Sequence, residues 1–162
     1  MSRERRPTVG RRTRADLIAA FDHECRRMGS MSSLHNHAVA DAVGLHQTDH
    51  ECLDLLDWAG PLTAGEIAMH LGLTSGAVTA LIDRLEHGGW VRRQRDTADR
   101  RRVIVHPADD RMAEIAPIYE HLGETIERYR DRLSAADLRT VVEFLETANA
   151  ALAEATRRTR ER

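Results

Sequence analysis

The sequence predicts a mainly α-helical fold in which a winged helix-turn-helix is flanked by amphipathic helices on both sides. Three observations predict it. Two capped helices meet at a glycine, an arginine-rich segment with a period of two follows them, and apolar residues recur at helical spacing before and after. No stretch outside the arginine-rich segment favours strands, so the sequence predicts no other sheet.

The helix-turn-helix is predicted from residues 63–89. Thr63, with Glu66 three residues later, is typical of a capping box, and Thr74 is typical of a second N-cap. Gly72 stands where the first helix must stop, and glycine adopts the left-handed conformation that ends a helix. The spacing therefore predicts two short helices joined by a tight turn.

A β-hairpin is predicted after Gly88-Gly89, where WVRRQ and RVIVH alternate around the loop RDTADRR. We expect Val91, Val103 and Val105 to face the core, and Arg93 and Arg95 to point outward. Arg100 and Arg101 fall at the tip. Residues 84–102 hold seven arginines against three acidic residues, and such a hairpin is suited to phosphates or a minor groove.

The net charge of −2 hides a segregated distribution. Positive charge is concentrated in residues 1–14, 84–102 and 157–162, whereas 15–83 and 103–156 are acidic. An acidic body repels a duplex everywhere except at the hairpin and the terminal arms. The distribution therefore predicts an oriented approach to double-stranded DNA.

Other classes of protein are disfavoured by composition. No apolar run approaches a membrane span, and the first residues have no apolar export region, so we expect a cytoplasmic protein without a membrane partner. No metalloprotease motif, nucleophile elbow or phosphate loop occurs, so we expect no enzyme and no cofactor. A metal-dependent enzyme remains the alternative from another class, built from His23, His35, His37, His46 and His50.

The flanking segments carry apolar stripes. One stripe runs through Leu17, Phe21, Cys25 and Met28, and a second through Leu34, Ala38 and Ala42 to Gly44. Thr48 with Glu51 predicts a capping box opening a helix to Gly60, a long helix is expected after Pro107, and Ser134 is expected to cap the last helix. These helices have more apolar surface than one small domain covers, which predicts a second copy of the chain as partner.

We therefore expect a disordered basic arm at 1–13, dimerisation helices at 14–47 and 107–159, and the winged helix-turn-helix at 48–106. Together they are expected to form a single compact domain.

From Arg14 to Thr156 the chain resembles the MarR family of bacterial transcription regulators. The resemblance is strongest in LHQTDHECLDLLDWAGPLT and GLTSGAVTALIDRLEHGGWVRRQRDTADRRRVIV. It implies a homodimer on a pseudo-palindromic operator, acting as a repressor that a small molecule releases. It also implies DNA contacts, which are Thr74, Ser75, Gly76 and Thr79 at the start of the recognition helix, Arg84 near the backbone, and the wing signature Asp99-Arg100-Arg101, in which Asp99 holds Arg101. The outward-pointing Arg93 and Arg95 of the hairpin are further expected DNA contacts.

The recognition helix itself is chemically quiet. Its exposed face offers Ser75, Gly76, Thr79, Ala80 and Asp83, with no arginine, asparagine or glutamine on the first two turns for bidentate base contacts. We therefore expect DNA shape, water-mediated contacts and the wing to supply much of the specificity.

The resemblance also implies an effector, expected to be an aromatic or phenolic acid. A mostly apolar pocket with a histidine suits such a molecule, and the candidates are Met31, His35, His37, His46 and Trp58. Two sensing alternatives stay open. Zinc could be bound by Glu24, Cys25, His35 and His37, and Cys25 or Cys52 could respond to oxidants.

Overall fold

The computed structural model describes residues 12–99 and 101–162. Residues 1–11 of the predicted basic arm and Arg100 of the wing lie outside the described residues. The described residues form the helices α1 (Arg14–Ala42), α2 (Gln47–Ala59), α3 (Ala64–Leu71), α4 (Ser75–His87), α5 (Asp109–Arg130) and α6 (Ala135–Arg160), and the strands β1 (Leu62–Thr63), β2 (Val91–Arg95) and β3 (Val103–Pro107).

The chain divides into two units, Met1–Gln47 and Thr48–Arg162, and each is described by itself. The division falls where the sequence predicts the winged helix-turn-helix to begin. The expectation of a single compact domain stays a prediction.

The first unit is dominated by α1, a continuous helix of 29 residues. The Thr13 hydroxyl accepts from the Asp16 N–H at 3.2 Å, and the Asp16 carboxylate accepts from the Thr13 N–H at 2.9 Å. The two predicted apolar stripes therefore lie on one helix, whose end is followed by Gly44 with φ of 70°. Leu17, Phe21 and other large apolar side chains of α1 are exposed.

Helix α2 begins at Gln47, the last residue of the first unit, so Thr48 lies inside its first turn and the capping box predicted at Thr48 is wrong. The local sequence matches the capping pattern, but a helix capped by Thr48 would begin at residue 49, and α2 begins two residues earlier. Leu53 and Leu56 of this helix are buried, as the spacing predicts. The predicted end near Gly60 is confirmed, because α2 stops at Ala59.

The helix-turn-helix has the predicted local structure. Thr63 and Glu66 form a reciprocal capping box on α3, and Gly72 ends that helix in the left-handed conformation with φ of 70°. Ile67 of α3 is fully buried, and α4 buries Leu81 and Leu85. The two helices meet at a bend of 111°.

The described residues form one sheet of three antiparallel strands in the order β1-β3-β2, so the predicted hairpin is joined by a third short strand that the sequence did not predict. Leu62 pairs with Val105 and Thr63 with Ile104. A strand of two residues whose pairing partners lie more than forty positions later leaves no periodic signal in the sequence. It attaches the hairpin to the chain just before α3.

The expected faces of the hairpin need two corrections. Val91 and Val105 are buried, but Val103 is 42% exposed because it lies near the tip, beyond the core. Arg93 was expected to point outward, but it lies on the same face of β2 as Val91, because residues two apart in a strand share a face. That face is turned toward α4, which Arg93 contacts.

The two last helices also begin as predicted or near it. Ser134 and Asp137 form a capping box on α6, and α5 begins two residues after Pro107. Among the described residues no single helix is long and apolar enough to cross a membrane, and only the bent pair of α3 with α4 would pass together by length and composition.

Candidate nucleic-acid interface

The start of α4 presents the predicted small polar residues to solvent. Thr74 caps the helix, its hydroxyl accepting from the Ala77 N–H at 3.3 Å. Ser75, Gly76 and Thr79 are exposed, and the Thr79 hydroxyl donates to the Ser75 carbonyl oxygen at 2.8 Å. The first turn therefore exposes only small side chains, and hydrogen bonds to the backbone orient the hydroxyl groups of Thr74 and Thr79.

Arg84, further along α4, is bound to α2. Its Nη2 donates to Oδ1 of Asp49 at 2.6 Å and its Nε donates to Oδ2 at 3.1 Å. The hydrogen bonds to Asp49 raise the pKa of Arg84 above its ordinary value. The guanidinium predicted to lie near the DNA backbone is therefore occupied by a carboxylate of its own chain.

Arg93 connects β2 to α4. Its guanidinium binds Asp83 at 2.5 Å through Nη2 and Glu86 through Nη1, and its backbone N–H donates to Glu86 at 3.0 Å. These hydrogen bonds, first from the backbone N–H and then from the side chain, hold the pKa of Glu86 below its ordinary value. The predicted DNA contact Arg93 thus fixes the wing against the recognition helix.

The wing tip is organised by Asp99. Its carboxylate accepts from the Arg101 backbone N–H at 3.0 Å, and its carbonyl oxygen accepts from the Arg102 N–H at 2.9 Å. The predicted link between Asp99 and Arg101 is present, but it is made through the backbone instead of the guanidinium. Arg95 and Arg101 are exposed, and within the described part of the chain neither guanidinium has an ion-pair partner.

The base of the wing is held by an aromatic contact. Trp90 is 4% exposed, and the guanidinium of Arg111 on α5 lies 4.4 Å from the centre of its ring. The Ala108 N–H donates to the Trp90 carbonyl oxygen at 2.9 Å. These contacts hold the base of the hairpin against α5.

Sequence reasoning missed Asp49, Asp83 and Glu86 as partners of the interface arginines. A signal for Asp49 was present, because it precedes Leu53 and Leu56 at helical spacing and so shares their buried face. Asp83 and Glu86 lie three residues apart on α4. Only the sheet register brings Arg93 to them.

The predicted effector residues lie in both units. In the first, Met31, His37 and His46 are exposed and His35 is partly buried. The Nδ1 of His37 lies 2.7 Å from the Ser33 carbonyl oxygen. These four residues stay candidates for effector binding.

Trp58 belongs to the second unit and is 71% exposed. Its ring meets the ring of His70 edge to face, with centres 6.0 Å apart. Both line a cavity of about 880 Å³ together with Met69 and the last turns of α6. There the Arg160 Nη1 donates to the Met69 and His70 carbonyl oxygens, both at 3.1 Å.

The alternative sensing chemistries find little support. In residues 12–99 and 101–162 no three histidine, cysteine, aspartate or glutamate side chains come together to hold a metal ion. Cys52 is buried, and this burial, with a smaller effect of Asp49, raises the pKa of its thiol to about 12. Since the thiolate is the reactive form, Cys52 is unsuited to redox sensing, whereas Cys25 is partly exposed.

A capped helix-turn-helix, a wing fixed to its second helix and free arginines at the wing tip define a winged-helix DNA-binding protein. Comparison with known proteins agrees, since a model of the MarR family matches residues 45–103. The HTH-type transcriptional regulator YcgE of Bacillus subtilis is 40% identical over 115 residues, which are 71% of this chain and 75% of YcgE. The chain therefore belongs to the MarR family and is a transcription regulator, not an enzyme.

Solved structures show the same fold. The transcriptional regulator Tm0710 from Thermotoga maritima has a TM-score of 0.59 at 23% identity, over 85% of this chain and 96% of that one. A MarR family protein from Bacillus stearothermophilus has a TM-score of 0.60 at 18% identity, over 87% of this chain and 99% of that one.

Proposed function

We propose that this regulator binds a pseudo-palindromic operator as a homodimer, in the cytoplasm, and represses transcription until a small molecule releases it. The observation that carries the proposal is the arrangement of α4 beside the hairpin formed by β2 and β3. The exposed small residues at the start of α4 fit a major groove, and the ion pairs of Arg93 keep the arginines of the wing tip at a fixed place beside it.

The homodimer is supported by apolar side chains that the single chain leaves in solvent. On α5 and α6 they recur at helical spacing, and they are Leu122, Ile126, Tyr129, Val141, Val142, Leu145 and Leu152. Exposed stripes of this kind mark interaction surfaces. A two-fold axis would cover them with the same stripes of a second copy and would place two recognition helices ~34 Å apart on DNA.

The test of DNA binding uses a labelled duplex from the region upstream of the chain's own gene and a shuffled duplex of equal composition. We expect tighter binding to the upstream duplex, with an affinity that falls linearly with salt on logarithmic axes. Equal affinity for the two duplexes at every salt concentration would contradict an operator-specific regulator.

The test of the homodimer is the mass in solution measured by light scattering. We expect twice the chain mass of 18.3 kDa. Ile126→Glu places a carboxylate in the apolar stripe and is expected to give monomers. Arg128→Glu places the same group on the opposite side of α5 and serves as the control. A monomeric unaltered chain at micromolar concentration would refute this part.

The effector is proposed to be an aromatic or phenolic acid. Trp58 and His70 offer aromatic surface at the cavity, and Arg160 offers a cation. Titration of benzoate against tryptophan fluorescence, in the unaltered chain and in Trp58→Phe, is expected to show a change only where Trp58 is present. A thermal-shift series with phenolic acids, metals and oxidants, with and without DNA, separates this reading from metal or redox sensing.

A further inference from the structure

Two neighbouring residues of α2 are buried polar groups with partners on different helices. Asp49 is 3% exposed and His50 is 1% exposed. Side chains of adjacent helical residues point about 100° apart. Asp49 accordingly reaches α4 and His50 reaches α5.

The link to α4 is a two-point contact. Both carboxylate oxygens of Asp49 are used, one by Nη2 and one by Nε of Arg84, at 2.6 and 3.1 Å. A bidentate pair restrains rotation as well as distance. Because Asp49 is almost fully buried while half of the Arg84 side chain is exposed, the carboxylate is the fixed partner and α4 is the element that it holds.

The link to α5 is made by the imidazole ring of His50. The Nε2 of His50 lies 3.1 Å from the hydroxyl oxygen of Tyr119, and its Nδ1 lies 3.4 Å from Oδ2 of Asp54. Burial raises the pKa of Tyr119 to about 12, so this hydroxyl keeps its proton at neutral pH. The long helix α5 is thereby tied to the residue next to Asp49.

We propose that Asp49 is a positioning residue of the recognition helix α4. The adjacent residues Asp49 and His50 of α2 then couple the position of α5 to that of α4. The proposal rests on the proposed function, in which α4 enters DNA. It assigns Arg84 to the protein's own structure instead of a phosphate. A shift of α5 against α2 would then change the angle at which α4 is presented, without any contact between α5 and DNA.

In the first test the loss of charge and the loss of positioning change DNA affinity in opposite directions. Asp49→Asn removes a negative charge, which by electrostatics alone strengthens DNA binding. The proposal expects the opposite, a loss of affinity of about tenfold with the dependence on salt unchanged. Asp57→Asn makes the same chemical change at an exposed position of α2 and serves as the control. Unchanged or tighter binding by Asp49→Asn would overturn the proposal.

Arg84→Lys keeps the positive charge and removes the fork, so it stays informative where Asp49→Asn fails to fold. A positioning role predicts that it also lowers affinity about tenfold, and that the double variant is no worse than either single variant. A phosphate contact predicts near-normal affinity for Arg84→Lys, and that result would overturn the assignment.

The second test addresses α5. Tyr119→Phe removes the hydroxyl group near His50 and is expected to lower DNA affinity about threefold. The control is Thr147→Val, which removes an exposed hydroxyl group on α6 that bonds to the Glu143 carbonyl oxygen of its own helix. Equal affinities for the two variants would overturn the proposed transmission from α5.

Hydrogen exchange in the DNA-free protein gives a readout that does not depend on DNA binding. Asp49→Asn is expected to speed exchange in α4 relative to α3, and Tyr119→Phe is expected to do so more weakly. An unaltered chain that fails to bind DNA refutes the proposed function. The exchange comparison would still decide whether Asp49 holds α4, and unchanged exchange in α4 would count against it.

Discussion

Removing Arg101 is expected to weaken DNA binding in a way that depends on salt. Its guanidinium is exposed and has no ion-pair partner within the residues described, so its whole charge is available to a phosphate or a minor groove. One phosphate contact contributes ~0.9 to the slope of log affinity against log salt. The proposed homodimer brings two copies of Arg101 to the operator, so over a fourfold rise in salt Arg101→Ala should lose ~12-fold less affinity than the unaltered chain.

The assay is fluorescence anisotropy with an operator duplex at several salt concentrations. Arg132→Ala is the control, because Arg132 is an exposed arginine in the turn after α5 and its loss changes the net charge equally. We expect Arg132→Ala to leave the slope unchanged. If Arg101→Ala matched this control in affinity and slope, the assignment of the wing tip to DNA would be refuted.

The role of Asp99 is tested by a matched pair of variants at that position. Its carboxylate accepts from the Arg101 N–H at 3.0 Å, and an asparagine carbonyl oxygen can accept the same bond. Asp99→Asn is therefore expected to keep or raise affinity, whereas Asp99→Ala, which also removes one negative charge, is expected to lower it. Equal affinities for these two variants would show that the charge, and not the turn, matters.

Three further predictions concern stability and reactivity. Thr63→Ala should cost about 1 kcal/mol in urea unfolding, and no loss would contradict the capping box. The Thr63 N–H and hydroxyl lower the pKa of Glu66, so its contribution to stability is present above its ordinary value of 4.5 and is lost as pH falls through the lowered pKa. The free energies of unfolding of Glu66→Gln and the unaltered chain should therefore differ near neutral pH and converge at low pH. In the native chain iodoacetamide should modify Cys25 and leave Cys52 intact, and equal labelling would refute the burial argument.

Local features of the fold could be predicted because local residues determine them. Thr63, Thr74 and Ser134 cap helices, and Gly72 turns the chain, through contacts within a few residues. Strand β1 was missed because its two residues are specified only by pairing with β3. The start of α2 was misplaced at Thr48 because neighbouring positions matched the capping pattern nearly as well.

The sequence predicted the arginine-rich hairpin but not the carboxylates that bind two of the interface arginines. The arginines of the hairpin are visible in the sequence, yet which of them remain free depends on residues brought close by the fold. Arg84 and Arg93 are bound by carboxylates of α2 and α4, whereas Arg95 and Arg101 are left to solvent. Counting positive charge along the chain therefore overestimates the charge that DNA meets.

The pairing of Arg93 with two carboxylates also restricts the order in which this surface can mutate. If Arg93 is replaced first, Asp83 and Glu86 remain exposed on α4 with their charges unneutralised, and such charges repel phosphates. If either acidic residue is replaced first, the arginine still has one partner, and the surface becomes more cationic. Viable routes to a new recognition helix in this protein should therefore begin with the acids and reach the arginine last.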